Sequence, residues 1–219
     1  MNSIYKEDGI IQIVHEEIIY APIQQVFSLA CPVMEYKWIT GWKCELLHCP
    51  NGHVEKGTIF NEIMSAPFLI GNFYGKTNWT AVLHNGDEYR VHYQLENSAS
   101  SSLYKIEMES MGLALTRCRL DFTYKALNER GKKIIKNRGA EKIKFMLTTL
   151  SAMMKHYAEQ GEMLKSTAIK KMTLRYKYFS IIDKFRLLLN NFAMKVMKDA
   201  DREKFLKSVQ ISKNAICGY

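Results

Sequence analysis

The sequence predicts an α+β fold in which an antiparallel sheet of about seven strands curls around one long helix, with a helical extension after it. Three observations predict this. A β-branched run near the N-terminus passes through a proline into short helical segments. Six further runs then alternate with period two, and one long stretch of helical period closes the series. Strands joined by short turns pair antiparallel, and helices gathered at two points of the chain can cover only one face of such a sheet.

The run Ile10 to Tyr20 (IIQIVHEEIIY) is the first strand. Ala21-Pro22 ends it, because proline suits a first helical turn and cannot continue a ladder. Apolar residues at 23, 26, 27 and 30 then have helical spacing, and a second short helix begins near Cys31-Pro32 and runs to about Trp38. Strands follow at about 42–49, 57–64, 73–83, 88–95, 101–110 and 112–125. Their punctuation is turn chemistry: Pro50-Asn51-Gly52, Asn85-Gly86-Asp87, Asn97-Ser98-Ala99-Ser100 and Met111-Gly112. In the run 88–95, Tyr89, Val91, Tyr93 and Leu95 alternate with Arg90, His92 and Gln94, giving one buried and one wetter face. In the last run, Ala114, Cys118, Leu120, Phe122 and Tyr124 oppose Arg117, Arg119, Asp121 and Thr123. Asn128-Glu129-Arg130-Gly131 closes the strands. From about Asn137 to Met163 the residues Ile143, Leu147, Leu150, Met154, Tyr157 and Ala158 share one stripe, on a helix about 35–40 Å long.

These stretches resemble the SRPBCC superfamily, which includes START domains, polyketide cyclase-like proteins and the birch-pollen-allergen type, and most closely a bacterial branch of SRPBCC family proteins. Three segments carry the resemblance: Tyr20-Ala21-Pro22-Ile23 with Val26-Phe27; the paired-tryptophan segment Ala30 to Trp42 (ACPVMEYKWITGW) with Cys44-Glu45-Leu46; and Phe122 to Gly131 (FTYKALNERG). It covers residues 8–164 and implies a helix-grip (START-like) fold around an apolar cavity. It implies no particular reaction, since members are carriers, sensors or cyclases. Residues 165–219 have no counterpart in it.

Charge divides the chain at the same place. Residues 1–164 carry 18 basic and 18 acidic side chains, whereas residues 165–219 carry 13 and 4 and so hold the whole net charge of +9. The expected domains are therefore 8–164 and a basic amphipathic helical tail, 165–219. The polar first residues and the lack of a long apolar run point to the cytoplasm, with a peripheral membrane location open through the tail. Five cysteines, an odd number spread over the chain, read as free thiols.

The candidate cavity residues are Trp42, Phe60, Trp79, Tyr93, Tyr104, Met108, Met154 and Tyr157. Large aromatic and methionine side chains line an adaptable apolar pocket or fill a solid core, and residue type alone does not choose between them. Trp38 and Trp42 either form the cavity wall or pack the short helices onto the sheet, with Glu35 capping or pairing locally. His15, His84, His92 and Glu62 are the acid–base candidates, and no catalytic residue can be assigned. Cys44, His48, Cys49 and His53 lack the paired spacing of a zinc site, so no metal and no cofactor is expected. Gly71-Asn72-Phe73-Tyr74-Gly75 is not followed by the lysine of a phosphate loop.

In the tail, Tyr178, Ile181, Ile182, Phe185, Leu188, Leu189, Phe192, Ala193, Val196 and Met197 form an apolar stripe flanked by Lys177, Lys184, Arg186, Lys195 and Lys198. A stripe this wide suits docking or homodimer packing, and its basic flanks suit an anionic membrane surface. Nucleic acid is the weakest partner, because no base-reading motif accompanies the lysines. The expected function is binding of a small hydrophobic or lipid-like ligand. The alternatives are a cyclase- or hydrolase-type enzyme with a cavity acid/base, or a non-catalytic interaction protein.

Overall fold

The computed structural model describes residues 3–62, 77–136 and 139–176, and side chains from residue 8 onward. The chain divides into two units, Met1–Lys171 and Met172–Tyr219. Of the second unit, residues up to 176 are described, so the tail candidates Lys177, Lys184, Phe185, Arg186, Leu189, Phe192 and Lys195 lie outside the described residues. The helical period expected from about Thr173 begins earlier, since 166–176 are already helical.

The first unit has an antiparallel sheet of strands β1 (Ser3–Glu7), β2 (Ile10–Ile19), β3 (Cys44–His48), β4 (Ile59–Glu62), β5 (Asn78–Asn85), β6 (Arg90–Glu96), β7 (Ser100–Gly112) and β8 (Leu115–Ala126). Their spatial order is β1-β2-β8-β7-β6-β5-β4-β3. Helix α1 (Ile23–Ser28) and a single 3-10 turn, Glu35–Lys37, connect β2 to β3. Helices α2 (Glu129–Lys136) and α3 (Gly139–Gln160) follow β8.

Several details depart from the sequence expectation. The sheet has an eighth strand, β1, because Asp8-Gly9, with Gly9 at φ 76, folds the polar first residues back onto β2. The second short helix is reduced to the turn at Glu35–Lys37. Tyr89 is not a strand residue: it sits in the β5–β6 turn at φ 52, its ring edge-on to Phe27 at 5.6 Å.

The core lies between the inner sheet face and α3. Val91, Tyr93 and Leu95 point inward from β6, Tyr104, Ile106 and Met108 from β7, and Cys118, Leu120, Phe122 and Tyr124 from β8. From α3 come Ile143, Leu147 and Met154 at helical spacing. A polar network also fastens α3 to β2. His15 Nε2 is 2.7 Å from Ser151 Oγ, and Lys155 Nζ donates to Glu17 Oε1 at 2.8 Å. The His15 contact and the Lys155 pair hold the Glu17 carboxyl at about 2, well below the usual carboxylate range.

The start of α2 is set by one close approach. Asn128 caps it, accepting from the Gly131 N–H at 3.1 Å while its own amide donates to the Ser98 carbonyl at 2.7 Å. A Cβ on Gly131 would sit 2.2 Å from the Ala99 carbonyl oxygen, so only glycine lets α2 lie against the β6–β7 turn.

Candidate functional site

A row of aromatic side chains crosses the inner face of the sheet because the strand registers align them. Phe60 pairs with Trp79, Tyr93 with Tyr104, and Tyr104 with Phe122. Phe60 stacks on Trp79 with centroids 5.5 Å apart, and Tyr93 meets both edge-on, at 5.8 and 6.0 Å. Tyr104 stands edge-on to Trp79 at 6.4 Å. Such tilted arrangements are what the ring quadrupole favours.

Over this row lies the segment after α1, and its position is fixed by hydrogen bonds to main-chain carbonyls. The indole of Trp38 donates to Leu29 at 3.0 Å and that of Trp42 to Pro32 at 2.9 Å. The Tyr93 hydroxyl donates to Ala30 at 2.9 Å, tying the segment to the sheet. Glu35, Trp38 and Ile39 are three and four residues apart, so the turn aims all three at the sheet.

The result is a recess of about 30 Å³, walled by Glu35, Trp38, Ile39 and Trp42 from the segment, Phe60, Glu62, Trp79, Tyr93, Tyr104 and Ile106 from the sheet, and Leu150 and Met154 from α3. Of the expected cavity residues, Trp42, Phe60, Trp79, Tyr93, Tyr104 and Met154 come together here. Met108 is buried further along β7 and Tyr157 is half-buried on α3, and neither lines it. Trp38 and Trp42 fasten the segment through their indole hydrogen bonds and also line the recess. The volume suits a group of a few atoms rather than a whole lipid, because one water needs about 10–15 Å³ on this measure.

Two carboxyl groups occupy this apolar setting. Phe60 and Glu62 alternate on β4 and face the same way. Burial pushes the Glu62 carboxyl up to about 7, partly offset by the indole N–H of Trp79 beside it. That neighbour does not complete a well-formed bond: Glu62 Oε2 and Trp79 Nε1 are both enclosed without a hydrogen-bond partner. Glu35 reaches solvent over part of its length. Its carboxyl is surrounded by protein and rises well above the carboxylate range through burial and then through the charge of Glu62. The sequence suggests local capping or pairing for Glu35, whereas its turn has no side-chain cap and Glu35 forms no ion pair among the described residues. Its spacing from Trp38 is the one signal that could have placed it.

The other acid–base candidates lie elsewhere. His15 faces Ser151, and His92 pairs with Glu107 at 3.1 Å. His84 lines a separate groove of about 240 Å³ with His53 and Phe27, and burial lowers its pKa. Cys31, Cys44, Cys49 and Cys118 are free thiols. No described helix is long and apolar enough to cross a membrane.

No protein-family model matches the sequence, and no curated protein matches it. Solved structures do match the fold. CalU16 from Micromonospora echinospora superposes with a TM-score of 0.54 at 9% identity, covering 83% of this chain and 96% of that one. Truncated norcoclaurine synthase from Thalictrum flavum gives 0.52 at 15% identity, covering 69% and 94%. The Zhui aromatase/cyclase from Streptomyces sp. R1128 gives 0.50 at 8% identity, covering 71% and 99%. The chain therefore has the helix-grip, START-like α+β fold. Identities this low carry the architecture and nothing about chemistry.

Proposed function

We propose that the chain binds a small, mainly apolar molecule in the recess between the aromatic row and α3, and that its basic tail attaches it to an anionic membrane surface or to a second copy. The observation that carries the binding reading is the wall itself: aromatic and aliphatic side chains surround two polar atoms, Glu62 Oε2 and Trp79 Nε1, that lack hydrogen-bond partners among the described residues. All three tryptophans of the chain line this recess, so intrinsic fluorescence reports on it directly. Titration with short-chain alcohols is expected to give a saturable fluorescence change, diminished when Leu150→Trp fills the space. A linear, unsaturable response in both proteins would remove the reading.

Acid–base chemistry on the bound molecule is the second reading, favoured by two cavity carboxyls raised to different degrees, Glu62 to about 7 and Glu35 well above the usual carboxylate range. At pH 7 one can donate while the other accepts. The chain's structural neighbours are compatible with either use, since they include a synthase and an aromatase/cyclase.

The tail reading rests on charge, 13 basic against 4 acidic residues over 165–219. Vesicles containing about one-third phosphatidylserine are expected to float the full chain. Replacing Lys177, Lys184, Arg186 and Lys195 by glutamate should leave most of it at the bottom of the gradient. Equal flotation of the two proteins contradicts membrane attachment.

A further inference from the structure

We propose that the recess takes the cationic head of a small organic amine, held by Glu35 and Glu62 and by the ring faces of Trp79, Tyr93 and Tyr104. This deepens the binding reading above and rests on it.

The first ground is a missing counter-charge. Elsewhere in the body, part-buried carboxylates are answered by a base: Asp121 lies 4.0 Å from Arg119 Nη2, Glu17 accepts from Lys155 at 2.8 Å, and Glu107 pairs with His92 at 3.1 Å. The recess holds two carboxyls and, among its described lining residues, no lysine, arginine or histidine. A buried acid pair without a base is costly unless something supplies positive charge.

The second ground is independent of charge. Among the described residues, Glu62 Oε2 is enclosed with no hydrogen-bond partner, and Trp79, 7% exposed, lines the same space with an unpartnered indole N–H. An ammonium group donates to the first. The second needs an acceptor, which a hydroxyl elsewhere on the same ligand can provide. The third ground is the aromatic lining of Trp79, Tyr93 and Tyr104, since an organic cation is attracted to such rings. Size agrees, since about 30 Å³ admits a head group rather than a ring, while Ile106, Leu150 and Met154 offer apolar contact to an alkyl stem.

The ionisable groups around the pair are Tyr93 on β6, Tyr104 on β7, and Cys31 and Cys44 on the segment leading to β3 and its start. These are neutral acids that supply no positive charge, and among the described residues α3 lines the recess with Leu150 and Met154. A bound cation therefore favours the ionised pair, and affinity for it rises as pH climbs through about 7, where Glu62 ionises.

The test compares butylamine, 1-butanol and butanal on the full chain by tryptophan fluorescence at pH 6 and pH 8. Butylamine stays protonated across that range. It is expected to bind about tenfold or more tighter than butanol at pH 8 and to lose about tenfold in affinity at pH 6 as Glu62 takes up a proton. Glu62→Gln should abolish the amine preference and its pH dependence. Equal affinity for butanol, or butanal binding that tightens toward pH 6, overturns the cation and leaves apolar binding standing. No saturable change with any of the three overturns both. If Glu62→Gln fails to fold, the pH profile of the unaltered chain decides alone.

Discussion

Glu62→Gln is expected to stabilise the protein by about 3 kcal/mol above pH 7 and to change little below pH 4.5. The sign follows from proton binding. Between pH 4.5 and about 7 the folded state keeps the Glu62 proton that the unfolded chain has released, so stability falls as pH rises across that window. Above pH 7 the folded protein carries a buried anion with no cation among the described lining residues of the recess. Glutamine has nearly the same shape and no charge to desolvate. In melting temperature the gain is about 6–10 °C at pH 8 for a domain of this size. Glu35 acts in the same direction, since burial also raises its pKa. Glu17 opposes them at the acid end: its carboxyl sits at about 2, so the support of Lys155 and His15 is lost as pH falls from 4.5 toward 2. Thermal melts from pH 3 to pH 9 check all three groups. A glutamine variant whose melting curve runs parallel to that of the unaltered chain would show that Glu62 is not a buried acid.

Phe122→Ala is expected to cost about 4 kcal/mol, lowering the melting temperature by roughly 8–15 °C. Phe122 is fully buried in the middle of β8, and its ring meets Tyr104 at 5.8 Å at the end of the aromatic row. Truncation removes a large apolar side chain where the sheet cannot collapse, because β8 is paired along its whole length with β7 and β2. Leu113→Asp serves as the control. Leu113 is 99% exposed in the β7–β8 turn, and its replacement should stay within about half a kcal/mol. Chemical denaturation of the three proteins compares them, and similar midpoints for Phe122→Ala and the parent would deny that the row is part of the core.

The fold was legible where periodicity is strong. Val91, Tyr93 and Leu95 alternate cleanly and point inward, and Ile143, Leu147 and Met154 form the buried stripe of α3. What was missed depends on contacts distant in sequence. Ser3–Glu7 is short and mostly polar, and becomes a strand only because the turn at Asp8-Gly9 lays it along β2. Asn128-Glu129-Arg130-Gly131 reads as the close of the strands, whereas Glu129–Lys136 is helical and its glycine is what lets α2 approach the Ala99 carbonyl. Tyr89 fits an alternating pattern but belongs to the turn before it.

The site was half legible for the same reason. Large aromatics announced an apolar wall, and register between β4, β5, β6 and β7 brought Phe60, Trp79, Tyr93 and Tyr104 together. Nothing in residue type separated Met108, which fills core, from Met154, which lines the recess. The acid pair was hidden because Glu35 and Glu62 are 27 positions apart, and their meeting depends on hydrogen bonds from Trp38, Trp42 and Tyr93 that hold the segment over the sheet.

The most direct test of the central claim is native mass spectrometry of the full chain, taken as purified and again after incubation with millimolar small amines and alcohols. A one-to-one adduct that is lost in Leu150→Trp, where the recess is filled, is the predicted result. The bare mass under every condition, or an adduct retained unchanged by Leu150→Trp, would contradict binding in the recess.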